Sequence, residues 1–185
     1  MRKLSFAAAI TILGLAACGS PEQGDEAGAE PVQPESSASP QQTVAALRNA
    51  EGDSVGSATA TESGGALAIS LTVQGLPPGE HGVHVHQTGK CDGPKFESAG
   101  GHWNPGARQH GLDNPAGHHA GDMPNLAVGE DGTGSLEYTL EGATLSGLLD
   151  ADGAAFVVHA GRDDQKTDPS GDSGDRIACG TFAAS

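Results

Sequence analysis

Basic residues are scarce in this 185-residue sequence: nine Lys and Arg stand against 24 Asp and Glu, a formal net charge of −15 at pH 7. A surface of this sign repels phosphate groups, which excludes nucleic acid and an anionic membrane surface as expected partners. Acidic surfaces are common in exported proteins, so the charge alone predicts no activity.

Long hydrophobic runs are almost absent as well. The one such run, FAAAITILGLAA at 6–17, is too short to span a membrane. Preceded by Arg2 and Lys3, it predicts a signal peptide over residues 1–17. The run leads into LAAC, which resembles a bacterial lipobox and implies cleavage before a lipidated Cys18. Gly19 in place of aspartate after that cysteine favours the outer membrane over the inner one.

Large apolar residues are missing from the next segment, apart from Val32. Residues 18–40 are rich in Pro, Glu, Ser and Gly and bury too little surface to offset the entropy of ordering. We therefore expect a flexible tether here, with one folded domain over 41–185.

Cysteine is also sparse, with three in the chain. Once Cys18 is assigned to lipid, Cys91 and Cys179 remain. Two cysteines in an exported domain predict one disulfide. The loop it closes is long enough for a stabilisation of about 4–5 kcal/mol by the chain-entropy model.

No helical pattern of ten residues survives the frequent turn signals, and the domain is predicted to be all-β. Between these turns lie short runs with alternating or β-branched character. They are QTVAALRN, SVGSATATES, GALAISLTVQGL, HGVHVH, GTGSLEYTL, AAFVVH and RIACGTF. Residues 87–125 have almost no strand character and are predicted to form a loop. A loop of that length in a compact domain is usually functional.

What is abundant is histidine, with eight in the chain. His84 and His86 flank Val85, so on a strand both imidazoles point to one face. An isolated pair of this kind could also lie on a solvated edge strand without a function. The rest of the chain favours metal: the long loop and its edges supply His102, His110, His119 and Asp122. Three imidazoles and a carboxylate suit zinc, whereas His84, His86 and a third ligand such as His159 would suit copper.

Six short motifs occur in an order that resembles the copper/zinc superoxide dismutase family, in its exported bacterial lipoprotein form. They are HVH at 84–86, GGHWNP at 100–105, RQHG at 108–111, HAGD at 119–122, VVH at 157–159 and RIACG at 176–180. The resemblance implies a Greek-key, immunoglobulin-like β-sandwich or flattened barrel of about eight strands, with a long metal-binding loop.

The resemblance also implies site residues. The copper ligands would be His84, His86, His102 and His159, and the zinc ligands His102, His110, His119 and Asp122, so His102 would be shared. Asp163 would accept hydrogen bonds from a ligand of each metal, although Asp164 is adjacent, and Arg176 would attract the anionic substrate beside copper. His118 adjoins His119, which fits the motif better; His81 and Trp103 are expected to have structural roles.

The implied activity is dismutation of superoxide to oxygen and hydrogen peroxide by a copper ion that alternates between two oxidation states, with a structural zinc ion. The alternative is a periplasmic protein that buffers copper or zinc without turnover; either could be a monomer or a homodimer. Residues 160–175 depart from the family because they are short and carry Arg162 and Lys166 against five aspartates. We therefore expect slower, though still salt-sensitive, association with superoxide.

Overall fold

A computed structural model describes residues 41–182. Nine antiparallel strands form a nearly closed barrel: β1 (Gln42–Asn49), β2 (Ser54–Ser63), β3 (Ala66–Val73), β4 (Gly79–His81), β5 (Val83–His86), β6 (Leu126–Val128), β7 (Gly134–Glu141), β8 (Ala155–His159) and β9 (Arg176–Thr181). Helix is limited, within these residues, to one turn of α-helix, α1 (Leu145–Leu148), and a 3₁₀ turn at Glu97–Ala99. Neither is long and apolar enough to span a membrane. The all-β prediction is confirmed, with nine strands rather than about eight.

Two strands go beyond the seven predicted runs: the segment HGVHVH divides at Gly82 between β4 and β5, and β6 follows the long loop. The strands are ordered β4-β6-β7-β3-β2-β1-β9-β8-β5, so β4 and β5 lie at opposite ends of the sheet although one residue separates them in the chain. At this junction the Gly82 N–H donates to the Gly161 carbonyl at 2.8 Å, and the Gly82 carbonyl accepts from the His159 N–H at 2.8 Å. A Cβ on Gly82 would come within 2.9 Å of Ser173 Cβ. Glycine therefore leaves room at this junction for the side chains of Ser173 and Asp163.

The core lies inside the barrel and is built by alternation along the strands. On β3, for example, Leu67, Ile69 and Leu71 are fully buried. Val83 and Val85 of β5 join this core, as predicted. The histidines that alternate with them are buried on the other face, at 0% exposure for His84 and 1% for His86, so a solvated edge is excluded.

The long segment 87–125 is a loop, as predicted, and the backbone of β5 anchors it at two points. Val85 donates to the Gly121 carbonyl at 3.0 Å and accepts from the Trp103 N–H at 2.8 Å. Gly121 in turn donates to the Trp103 carbonyl at 3.0 Å. A Cβ on Gly121 would collide with the Val85 carbonyl oxygen, so this anchor requires glycine.

A third anchor is covalent. Cys91 of the loop and Cys179 of β9 form a disulfide across 88 residues of sequence, which confirms the predicted pairing. A small second core lies around it, including Phe96, Ala155 and Val157.

The predicted signal peptide (1–17) and the lipidated Cys18 with its tether (18–40) lie outside the described residues. They stay predictions, as does the extent of the 41–185 domain.

Replacing both cysteines by serine, in the variant Cys91→Ser/Cys179→Ser, should lower the free energy of unfolding by about 4 kcal/mol, because the unfolded chain regains the entropy of a long open loop. Urea unfolding monitored by circular dichroism measures this loss. The wild-type protein unfolded with its disulfide reduced is the control and should match the variant. An unchanged unfolding midpoint would contradict the account.

Candidate metal centre

Backbone pairing brings the predicted ligands together. β5 runs beside β8, which ends in His159. On the other side of β5, isolated bridges place His84 opposite Asp122 and His86 opposite His102. The strand therefore has the loop ligands on one side and the β8 ligand on the other.

Four buried histidines bring one nitrogen each to within 4.8 Å of the others: His84, His86, His102 and His159. In each ring one nitrogen is buried without a hydrogen-bond partner, namely Nδ1 of His84 and Nε2 of the other three. An unpaired buried nitrogen is costly, and four that face one another point to a missing ligand. A metal ion with nitrogen preference would satisfy all four, and all-nitrogen ligation suits copper.

The second nitrogen of three of these rings fixes the tautomer. His84 Nε2 lies 2.6 Å from Asp163 Oδ2, His86 Nδ1 lies 2.9 Å from the Gly100 carbonyl, and His159 Nδ1 lies 3.1 Å from the Gly174 carbonyl. Since carboxylate and carbonyl oxygens only accept, these nitrogens carry the hydrogens. The opposite nitrogens therefore present lone pairs to the common centre, as metal-binding histidines do.

Burial keeps this set uncharged. It lowers the pKa of His84 to about 3 and the pKa of His159 to about 4, and it holds the pKa of His86 well below its usual range. At neutral pH these three rings are neutral and competent to bind a metal ion.

A second set converges on Asp122, which is fully buried. Its Oδ1 lies 2.9 Å from His102 Nδ1, 3.0 Å from His110 Nδ1 and 3.3 Å from His119 Nδ1. Its Oδ2 accepts from the backbone N–H groups of Gly111 and His119. Three imidazole nitrogens and one carboxylate oxygen are a donor set that suits zinc.

The ligand atoms around Asp122 that all lie within 4.8 Å of one another belong to His84, His102 and His110 rather than to His119. His84 enters because its ring stacks on that of His102, with centroids 3.9 Å apart. Its Nε2 is committed to Asp163 and its Nδ1 belongs to the first set, so we place His119, at 3.4 Å from His102 Nδ1, in the second.

Electrostatics favour a cation in the second set. Burial opposes a charge on His110, but its hydrogen bonds to Asp122 and Asp163 outweigh burial and raise its pKa to about 9. Burial likewise opposes the charge on Asp122, yet hydrogen bonds from His102 and His110 keep its pKa well below the usual range. A zinc ion would replace the proton that the metal-free chain holds here.

Asp163 connects the two sets. Its Oδ2 faces His84 and its Oδ1 faces His110 Nε2 at 3.1 Å. The Asn125 side chain fixes its backbone from both sides, donating to its carbonyl and accepting from its N–H. Asp164 is half-buried and accepts instead from the backbone N–H groups of Lys166 and Thr167, so the geometry selects Asp163.

The structure also separates the shared histidine from the histidines and the tryptophan that face neither centre. His102 offers Nε2 to the first set and Nδ1 to the second, as a shared ligand must. His118 points elsewhere, with its Nδ1 2.7 Å from the His119 carbonyl. Both ring nitrogens of His81 face carbonyls, those of His159 and Pro77, and Trp103 packs in the core, in line with structural roles.

Arg176 lies at the open side of the first set. Its Nη1 donates to the Phe96 carbonyl at 2.7 Å and its Nη2 to the Gly100 carbonyl at 2.6 Å. Gly100 thus receives both Arg176 and His86. Arg176 lines an open cleft of about 560 Å³ together with His86, His102 and His159 of the first set and His119 of the second.

Gly171 was not among the predicted site residues. It has a φ of +62°, and a Cβ there would overlap Asp163 Oδ1 and approach His110 Nε2 to 2.8 Å. The sequence carried only a turn signal, PSGDSGD, and no sign that the turn folds back on the carboxylate that connects the two sets.

Comparison with known proteins gives a consistent result. The family model for copper/zinc superoxide dismutase matches residues 54–182. The superoxide dismutase-like protein YojM of Bacillus subtilis is 40% identical over 189 residues, which cover 98% of this chain and 96% of that protein. Superoxide dismutase (Cu-Zn) 2 of Aquifex aeolicus is 43% identical over 144 residues, 75% and 84% of the two chains. The crystal structure of a SOD-like protein from Bacillus subtilis superposes with a TM-score of 0.72 at 42% identity, covering 76% of this chain and 97% of that one.

The variant Gly171→Ala should lose metal because its methyl group would displace Asp163 from His84 and His110. The matched control is Gly142→Ala, since Gly142 has a similar φ of +70° but nothing within 4 Å of its added methyl. Both variants should lose about 1 kcal/mol of stability from backbone strain. Only Gly171→Ala should release copper and zinc faster to a chelator, measured by elemental analysis after dialysis. Equal retention in both variants would contradict the role assigned to Gly171.

Proposed function

Because this chain belongs to the copper/zinc superoxide dismutase family, we propose that it dismutes superoxide, converting two superoxide anions and two protons into one O₂ and one H₂O₂. The observation that carries the proposal is the set of four unpartnered buried nitrogens at the end of an open cleft. When bound, copper supplies a one-electron couple and zinc, which has no redox chemistry, supplies structure and charge.

We assign the ligands by the atoms that face each centre. His84 Nδ1, His86 Nε2, His102 Nε2 and His159 Nε2 would hold copper. The Nδ1 atoms of His102, His110 and His119 would hold zinc together with Asp122 Oδ1. The fit is chemical: the four copper-facing nitrogens have no hydrogen-bond partner, and zinc would replace the hydrogens that the Nδ1 atoms of His102 and His110 direct at Asp122.

The residues around the centre would each contribute to turnover. His102 Nε2 would take up a proton in one half-reaction and deliver it to the second superoxide as peroxide forms. Asp163 keeps His84 in the tautomer that leaves Nδ1 free. Arg176, a permanent cation at the cleft, would bind the anionic substrate and orient it.

The alternative is that the chain buffers copper and zinc without useful turnover. Binding alone requires neither an arginine at the open side of the copper ligands nor a cleft that reaches their rings. One relative is named superoxide dismutase-like, so turnover is the property to measure.

A charge series at Arg176 separates the two functions. In the copper- and zinc-loaded protein, Arg176→Lys should keep much of the activity, and Arg176→Glu should reduce kcat/KM by roughly 10- to 100-fold because the attraction becomes repulsion. Pulse radiolysis follows superoxide decay, and elemental analysis should find unchanged metal content in both variants. The variant His84→Ala, which loses a copper ligand, is the control without copper-dependent decay. Full loading of the wild-type protein with negligible decay would reject dismutation and favour buffering.

We further propose that the protein is exported, cleaved before Cys18 and held by lipid at a bacterial membrane, facing the periplasm and preferentially at the outer membrane. The LAAC motif after an apolar run and the Pro- and Glu-rich segment behind it support this. Its assembly as a monomer or a homodimer is a separate question for sedimentation.

The variant Cys18→Ser tests the anchor. In a bacterial host the wild-type protein should partition into detergent and its N-terminal peptide should carry the mass of a lipid, because the thiol is the attachment atom. The variant should appear in the aqueous phase with the same dismutase activity. A wild-type protein that stays in the aqueous phase would reject lipidation.

A further inference from the structure

The cleft above the copper ligands contains a second arginine that sequence reasoning did not single out. Arg108, two residues before His110, lines this cleft together with His102 and Arg176. The third charged side chain that lines this cleft is Asp168. Its carboxylate accepts from the His110 N–H at 2.7 Å and lies 3.8 Å from His119 Nε2.

The backbone of Arg108 is held by hydrogen bonds, whereas its guanidinium has no partner within the described residues 41–182. The Asn104 side chain holds that backbone from both sides, donating to the Arg108 carbonyl at 2.8 Å and accepting from its N–H at 3.0 Å. Its side chain is exposed, and within residues 41–182 its guanidinium has neither an ion pair nor a hydrogen bond. Arg176 differs, because two of its nitrogens are already committed to the Phe96 and Gly100 carbonyls.

The two cations of residues 160–175, Arg162 and Lys166, lie elsewhere. Arg162 forms an exposed ion pair with Glu80, with 3.0 Å between Arg162 Nε and Glu80 Oε2. Lys166 is not among the residues that line the cleft. Neither side chain therefore contributes an unpaired charge at the entrance.

We infer that Arg108 attracts the anionic substrate into the cleft and passes it to Arg176, a role that rests on the proposed function. Two arginines and one aspartate give the cleft a net positive charge from its arginine and carboxylate side chains. Without Arg108, the charges of Arg176 and Asp168 would cancel. Arg108 therefore adds an unpaired positive charge at this entrance, although the protein as a whole is strongly acidic.

The test compares Arg108→Gln with Arg162→Gln, which removes another exposed arginine, one outside the cleft. Both proteins are loaded with copper and zinc, and kcat/KM is measured by pulse radiolysis across a range of ionic strength. Arg108→Gln should be slower by about 3- to 10-fold at low salt and should respond less to added salt. Arg162→Gln should behave as the wild-type protein, and Arg108→Lys should restore the rate. Equal rates and equal salt dependence in the two glutamine variants would overturn the inference.

A second measurement separates this inference from the proposed function. Azide, a small anion, is titrated into each loaded protein and its binding is followed by the visible absorption of copper. Azide should bind more weakly to Arg108→Gln than to Arg162→Gln, whether or not the wild-type protein turns over superoxide. Equal azide affinities would overturn the role of Arg108, whereas absent turnover with weakened azide binding would reject only dismutation.

Discussion

The hydrogen bonds of one buried carboxylate hold the metal centre together. Asp163 fixes His84, whose strand belongs to the barrel, and His110, which lies in the long loop. These two rings belong to different ligand sets, so the position of one set depends on the other through this side chain. Gly82, Asn125 and Gly171 surround the carboxylate and leave it little freedom to move.

The metal centre also lowers the stability of the metal-free protein, and the rest of the barrel has to compensate. Four buried nitrogens without partners destabilise the metal-free chain, since a buried polar group loses its bonds to water without replacement. The backbone anchors at Val85 and the disulfide from Cys91 to Cys179 hold the loop in position despite this cost. Metal binding then satisfies groups that folding alone leaves unpaired, which couples metal content to stability.

Local pattern predicted much of the fold. β1 and β2 were foreseen to the residue because their alternation is long and bounded by turns. β6 has three residues and α1 has four, so neither is long enough to show a repeating pattern of apolar residues. The break at Gly82 depends on contacts with residues far along the chain. Among the site residues, the ligands followed from spacing and family resemblance. The choice of Asp163 over its neighbour and the charge balance created by Arg108 required the positions of distant residues.

The most direct test of this account is a crystal structure of the copper- and zinc-loaded protein, with anomalous diffraction measured at both metal edges. We expect one copper peak bound by His84 Nδ1 and the Nε2 atoms of His86, His102 and His159. We expect a separate zinc peak bound by the His102, His110 and His119 Nδ1 atoms with Asp122. A single shared peak, or copper bound through a residue outside the four unpartnered nitrogens, would contradict it.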